Sequence, residues 1–113
     1  MHELGIAMSI VEAAVESADG APVRRIVVVV GELTAVMPDA LRFCFAAAAT
    51  DTVVAGAELE IREVRAVARC EACSARLSDG MRAFCNCGSA ELVWESGREL
   101  RVVELEVEVE SCA

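Results

Sequence analysis

A chain of 113 residues has room for one compact domain or two very small ones. Its 19 acidic residues against 10 basic leave a net charge of −9, with every base an Arg, which excludes the basic face that nucleic acid or an anionic membrane surface requires. The 56% apolar content excludes a disordered chain.

The N-terminus lacks the basic region and the continuous apolar stretch of a secretory signal. Ile6, Ile10, Val11, Ala14, Val15 and Ala18 fall on one helical face, opposite Ser9, Glu12, Glu16 and Asp19. This predicts a helix over residues 4–18, with Gly20 at its C-terminal end and Pro22 beyond. Residues 24–30 are β-branched on both parities and end at Gly31, the pattern of a central strand. Pro38 opens a second helix whose buried stripe is Leu41, Cys44, Phe45 and Ala48. Residues 57–67 alternate as a half-buried strand, with Leu59, Ile61 and Val67 inward. Residues 99–110 alternate again, Val103, Leu105, Val107 and Val109 against Glu104, Glu106, Glu108 and Glu110.

The expected fold is α+β: two helices on a three-stranded mixed sheet, with a small zinc-ribbon-like domain inserted before the last strand. The α/β domain is discontinuous, residues 1–68 and 98–113, and the inserted one is residues 69–97. The longest apolar runs are far below the roughly 20 residues of a membrane helix. We therefore expect a cytoplasmic protein with reduced thiols and no membrane partner.

Cys70-x2-Cys73 and Cys85-x-Cys87 put two thiols on each of two tight turns. Four such sulfurs suit a tetrahedral Zn²⁺ at about 2.3 Å each. About 30 residues with little apolar bulk cannot fold without that metal, so the zinc is structural. A redox dithiol of the thioredoxin type opens a helix after a strand, whereas this segment reads as turns. A zinc-ribbon nucleic-acid-binding or regulatory protein is the other alternative, and it needs a basic face with stacking aromatics. Cys44 and Cys112 take no role.

The one histidine, His2, stands behind the Met1 α-amine. Amine, His2 amide and imidazole form fused small rings, a flat nitrogen field that suits Ni(II) or Cu(II) rather than Zn(II). Glu3 adds an amide or a carboxylate. On the residues alone, a lone His near a terminus is more often a frayed, solvated residue than a ligand.

The chain resembles the HypA/HybF family of nickel metallochaperones that mature [NiFe]-hydrogenase. The likeness runs through Met1-His2-Glu3, Val30-Gly31-Glu32-Leu33 and Pro38-Asp39-Ala40-Leu41-Arg42-Phe43-Cys44-Phe45. It continues in Gly56-Ala57-Glu58-Leu59-Glu60-Ile61, Gly88-Ser89 and Ser96-Gly97-Arg98-Glu99-Leu100. The second cysteine pair departs from the family's usual CxxC. The resemblance implies Ni(II) held by Met1, His2 and Glu3, and Zn(II) by Cys70, Cys73, Cys85 and Cys87. It implies delivery rather than catalysis, with no enzyme activity. The implied partners are the GTPase HypB and the hydrogenase large-subunit precursor, with urease maturation in some members. A monomer or weak homodimer is expected.

Overall fold

The first helix, α1, starts earlier than its apolar periodicity suggests, spanning His2–Ala18. In the computed structural model, which describes residues 2–80 and 82–109, β1 (Val23–Gly31), a 3₁₀ turn (Glu32–Thr34) and α2 (Pro38–Ala48) follow. Next come β2 (Glu58–Val64), β3 (Val67–Cys70), β4 (Arg76–Leu77), β5 (Leu92–Ser96) and β6 (Leu100–Val107). The expected end of the last strand, Glu110, lies outside the described residues, as do Met1 and Cys112. No helix among the described residues is long and apolar enough to cross a membrane. The chain divides into two compact units. One is built from residues up to Val28, Val36–Arg62 and the chain from Arg101 on; the other holds Val29–Ala35 and Glu63–Leu100. The second unit thus takes in the segment around Gly31 as well as the cysteine-rich stretch.

In the first unit α1 buries Ala7, Ile10, Val11, Ala14 and Ala18. Val15 was expected in this face but is 38% exposed, because the buried stripe centres one residue away on Ala7 and Ala14. Pro38 occupies the start of α2 and Leu41 and Phe45 are its buried anchors, with Cys44 half-buried. The two helices pack on one another. The strand order is β2-β1-β6, with β1 central and Ile26, Val27 and Val28 closed from solvent. At one end of the β1–β6 pair the Gly31 N–H donates to the Glu99 carbonyl at 2.6 Å; at the other the Glu108 N–H donates to Pro22 at 2.9 Å. Index rises on one strand as it falls on the other, so the pair is antiparallel. Arg25 gathers the sheet's acids: its guanidinium meets Glu60 at 2.5 Å, Glu104 at 3.2 Å and Glu106 at 3.6 Å. The hydrogen bond from Arg25 holds the Glu60 carboxyl below its ordinary range, with Arg62 adding to it.

The expected strand over residues 57–67 is two strands. The Ala66 N–H leaves the sheet and donates to the Glu32 carboxylate at 2.9 Å. Val67 therefore begins β3, in a second sheet of order β4-β3-β5, rather than continuing the inward row of Leu59 and Ile61. The stretch expected to be all turns is thus a small antiparallel sheet, in which Ala68 faces Leu77 on one side and Trp94 on the other. Its strands, two to five residues long, are too short to print an alternating pattern. Arg69 and Arg76 stand opposite each other across β3 and β4. Their repulsion is offset by Glu95, which reaches Arg76 at 3.1 Å and Arg69 at 3.5 Å.

Two glycines cross at the base of this unit. The Leu33 N–H donates to the Gly97 carbonyl at 2.7 Å, and the approach is so close that a Cβ on Gly31 would overlap the Gly97 peptide. Gly97 itself sits at φ +115°, and a Cβ there would lie 2.8 Å from the Ala66 Cα. Both positions admit only glycine, one for space and the other for space and conformation. Gly31→Ala is expected to destabilise the protein by about 2 kcal/mol or more in denaturant titrations. Gly5→Ala, in α1 with nothing within 4 Å of its Cβ, should raise stability by up to about 1 kcal/mol.

Candidate metal centre

Cys70 closes β3 and Cys73 follows on the turn toward β4; Cys85 and Cys87 lie on a second turn before β5. All four Sγ atoms lie within 4.8 Å of one another. Cys70 and Cys87 are 3.7 Å apart, and Cys73 and Cys85 are 3.6 Å apart. The edge of a zinc–thiolate tetrahedron with bonds of about 2.3 Å is about 3.8 Å. A disulfide needs about 2.05 Å. The sulfur set therefore fits a four-coordinate Zn²⁺ and leaves it no open position.

The two knuckles share one design at different lengths. In the first, the Cys70 N–H donates to Ala75 at 2.9 Å and the Ser74 N–H returns to the Cys70 carbonyl at 2.8 Å. In the second, the Cys85 N–H donates to Ser89 at 2.8 Å and the Gly88 N–H returns to the Cys85 carbonyl at 2.9 Å. Each bond spans one residue fewer in the second. Both turns close on a left-handed residue just after the second cysteine, Ser74 at φ 66° and Gly88 at φ 91°. The short Cys85-x-Cys87 gap is thus a contracted knuckle that still delivers both sulfurs.

The first cysteine of each pair is buried and the second exposed. Cys70, Leu77 and Cys85 form one buried cluster of the unit, with Leu92 packed against them; small Ala66 and Ala68 are buried as well. Two metal ligands are thus also core residues, and the apolar remainder is too small to hold the fold. The backbone N–H of Cys73, then that of Ala72, points at the Cys70 sulfur; with help from the neighbouring thiols they bring it down to about 7. For Cys73 the Ala75 N–H works the same way, but the Cys85 and Cys70 thiols beside it outweigh that and push it up to about 11. Four thiolates this close repel one another, so a divalent cation is needed to hold them together.

Four arginines of this region are engaged by acids. Arg69 meets Glu71 and Glu95, Arg76 meets Glu95, Arg82 meets Asp79, and Arg62 meets Glu60. That pairing removes the basic face a nucleic-acid-binding zinc ribbon would need.

Of the expected N-terminal set, Met1 lies outside the described residues. His2 and Glu3 sit in the first turn of α1, the His2 side chain 54% exposed and its Nε2 3.3 Å from a Glu3 carboxylate oxygen. The same oxygen accepts the Met37 N–H at 3.3 Å. That bond, ahead of the one from Glu3's own amide, draws the Glu3 carboxyl below its ordinary value. Two features were missed in the sequence reading: Met37 as an anchor for Glu3, and Arg82, whose guanidinium reaches Asn86 between the second pair of cysteines. Neither contact has a spacing signature.

A closed four-sulfur set on a unit with almost no other core defines a metalloprotein with a structural zinc-type centre. A family profile described as hydrogenase/urease nickel incorporation, metallochaperone, HypA, matches residues 1–107. The hydrogenase maturation factor HypA of Trichormus variabilis is 46% identical over 109 residues, covering 96% of both chains. That of Chlorobaculum tepidum is 45% identical, covering 96% of this chain and all of the relative. Among solved structures, the Ni metallochaperone HypA from Helicobacter pylori shares the fold with a TM-score of 0.66, at 24% identity and over 96% of this chain and 98% of that one. A second HypA solution structure has a TM-score of 0.70, at 25% identity over 97% of this chain and 98% of the other. The chain belongs to the HypA family of nickel-incorporation metallochaperones.

Removal of zinc by a strong chelator is expected to release one equivalent per chain and to shift the emission of Trp94, opposite Ala68 in the small sheet, to the red. Cys85→Ser, which removes a ligand and a core residue together, should lose the zinc outright in metal analysis of the purified protein.

Proposed function

We propose that this chain carries Ni(II) in a chelate at its N-terminus formed by Met1, His2 and Glu3, while zinc at Cys70, Cys73, Cys85 and Cys87 serves only to fold the second unit. The observation that carries the reading is the direction of His2. With Nε2 turned toward the Glu3 carboxylate at 3.3 Å, Nδ1 is the ring nitrogen left on the side of the backbone for a metal. Nδ1 is the imidazole nitrogen that closes a six-membered ring with the metal and the His2 amide, and the α-amine closes a five-membered ring on the other side. The amides of His2 and Glu3 lie in the first turn of α1, where a helix has no acceptor for them four residues earlier. The His2 amide can lose its proton to a metal that prefers planar nitrogen ligands, and the Glu3 amide, which otherwise turns to its own carboxylate, can add a fourth nitrogen.

The chemistry is transfer, not catalysis. A terminal chelate opens one donor at a time and so passes its metal on by ligand exchange; a four-thiolate centre half inside the core does not. The acceptor we assign is the hydrogenase large-subunit precursor in the cytoplasm, with the GTPase HypB as working partner and urease maturation as a second destination. The relatives named hydrogenase maturation factors and the family's hydrogenase/urease description support that assignment.

His2→Ala, or a tag that covers the α-amine, is expected to abolish stoichiometric Ni(II) binding in calorimetry while leaving one zinc per chain. Nickel binding at native affinity by His2→Ala would refute the site. Because amine, amide and imidazole must all be deprotonated to bind, nickel affinity should fall as pH drops below about 7.

A further inference from the structure

Beyond the reciprocal backbone bonds that both knuckles share, the two differ in what else holds them. The first is held from within, since its gap of two residues lets the Ala72 and Cys73 N–H groups reach the Cys70 sulfur. The second is one residue shorter, and a side chain grips it from outside. Arg82 lies three residues before Cys85, only 22% exposed. Its Nη1 donates to the Asp79 carboxylate at 2.9 and 3.2 Å, its Nε to the Phe84 carbonyl at 3.1 Å, and its Nη2 to Asn86 Oδ1 at 2.6 Å. Phe84 immediately precedes Cys85, and Asn86 alone separates it from Cys87. One planar guanidinium, itself anchored on Asp79, thus grips the chain on both sides of a metal ligand.

We propose that Arg82 is a positioning residue of the zinc centre, which presets Cys85 and Cys87 by clamping the Phe84 carbonyl and the Asn86 side chain. The inference rests on the four-thiolate zinc reading and adds to it the device that makes a one-residue gap workable. The clamp needs a rigid fork of N–H donors spread over one plane; a Lys ammonium, a single point of charge, cannot serve Nε and Nη sites at once. Asn86 is exposed, so its side chain contributes through this bond rather than through packing. Partners behind a metal ligand are worth about 10–100-fold in metal affinity, and the same scale applies here.

The test uses the full chain loaded with zinc and follows transfer of the metal to a chromogenic chelator, alongside the visible absorption of the Co(II)-substituted protein. Arg82→Ala and Asn86→Ala should each keep one zinc per chain, release it about tenfold faster or more, and shift the Co(II) bands. The double variant should be no faster than the faster single one, because both changes break one clamp. Arg82→Lys should not restore the native rate. Arg76→Ala, which removes an exposed arginine of the same unit, should release zinc at the native rate. Should Arg82→Ala fail to fold, Asn86→Ala alone decides the matter. Native release from Asn86→Ala, additive effects in the double variant, or equal acceleration by Arg76→Ala would overturn the clamp. A native chain that binds no zinc, or a Cys87→Ser variant that retains it fully, would instead overturn the four-thiolate reading itself.

Discussion

Four sulfurs drawn to within 4.8 Å of one another are the constraint on which the second unit depends. Thiols gain little from such crowding, and thiolates repel. A divalent cation at its centre would make the arrangement stable, with the binding energy of the metal standing in for a hydrophobic core. The burial pattern agrees: two of the four cysteines, Cys70 and Cys85, are themselves buried, in one cluster with Leu77 and Leu92. The three short strands need this anchor, since none is long enough to persist alone.

The same chain offers metals two environments of opposite character. The thiolate set is closed, tied by reciprocal backbone bonds in each knuckle, and part of a core. Of the proposed nickel ligands, His2 and Glu3 stand in the first turn of α1, His2 with its imidazole exposed and open to a neighbour. Hard and soft preferences keep the two cargoes apart: soft sulfur in a tetrahedron suits zinc, and planar nitrogen suits nickel. The Met37 N–H, by holding the Glu3 carboxylate, steadies the end of α1 without enclosing it.

How much of this was legible in the sequence depended on range. The helices, the central strand and the alternating outer strands were readable because periodicity is local, and Pro38 marked a helix start. The metal centre was readable because two cysteine pairs announce themselves by spacing. The break after β2 was not, since it is held by long-range bonds, from Ala66 to the Glu32 carboxylate and from Ser96 to the Arg65 carbonyl. The small sheet was hidden by the shortness of its strands. The significance of His2 came from a family resemblance; one histidine near a chain end carries no pattern of its own. The grip of Arg82 was invisible because nothing in a sequence says where a guanidinium turns.

The crossing of Gly31 and Gly97 has a consequence for how the protein is made. Synthesis delivers the Gly31 segment early and the Gly97 segment much later, with both cysteine pairs in between. The end of β1 therefore waits, its backbone N–H groups unmet, until the zinc-binding stretch has been synthesised and β6 begins. A peptide cut out around the cysteines would lack the floor on which its strands rest, so the metal-binding stretch is not a cassette that can be lifted from one protein and grafted onto another.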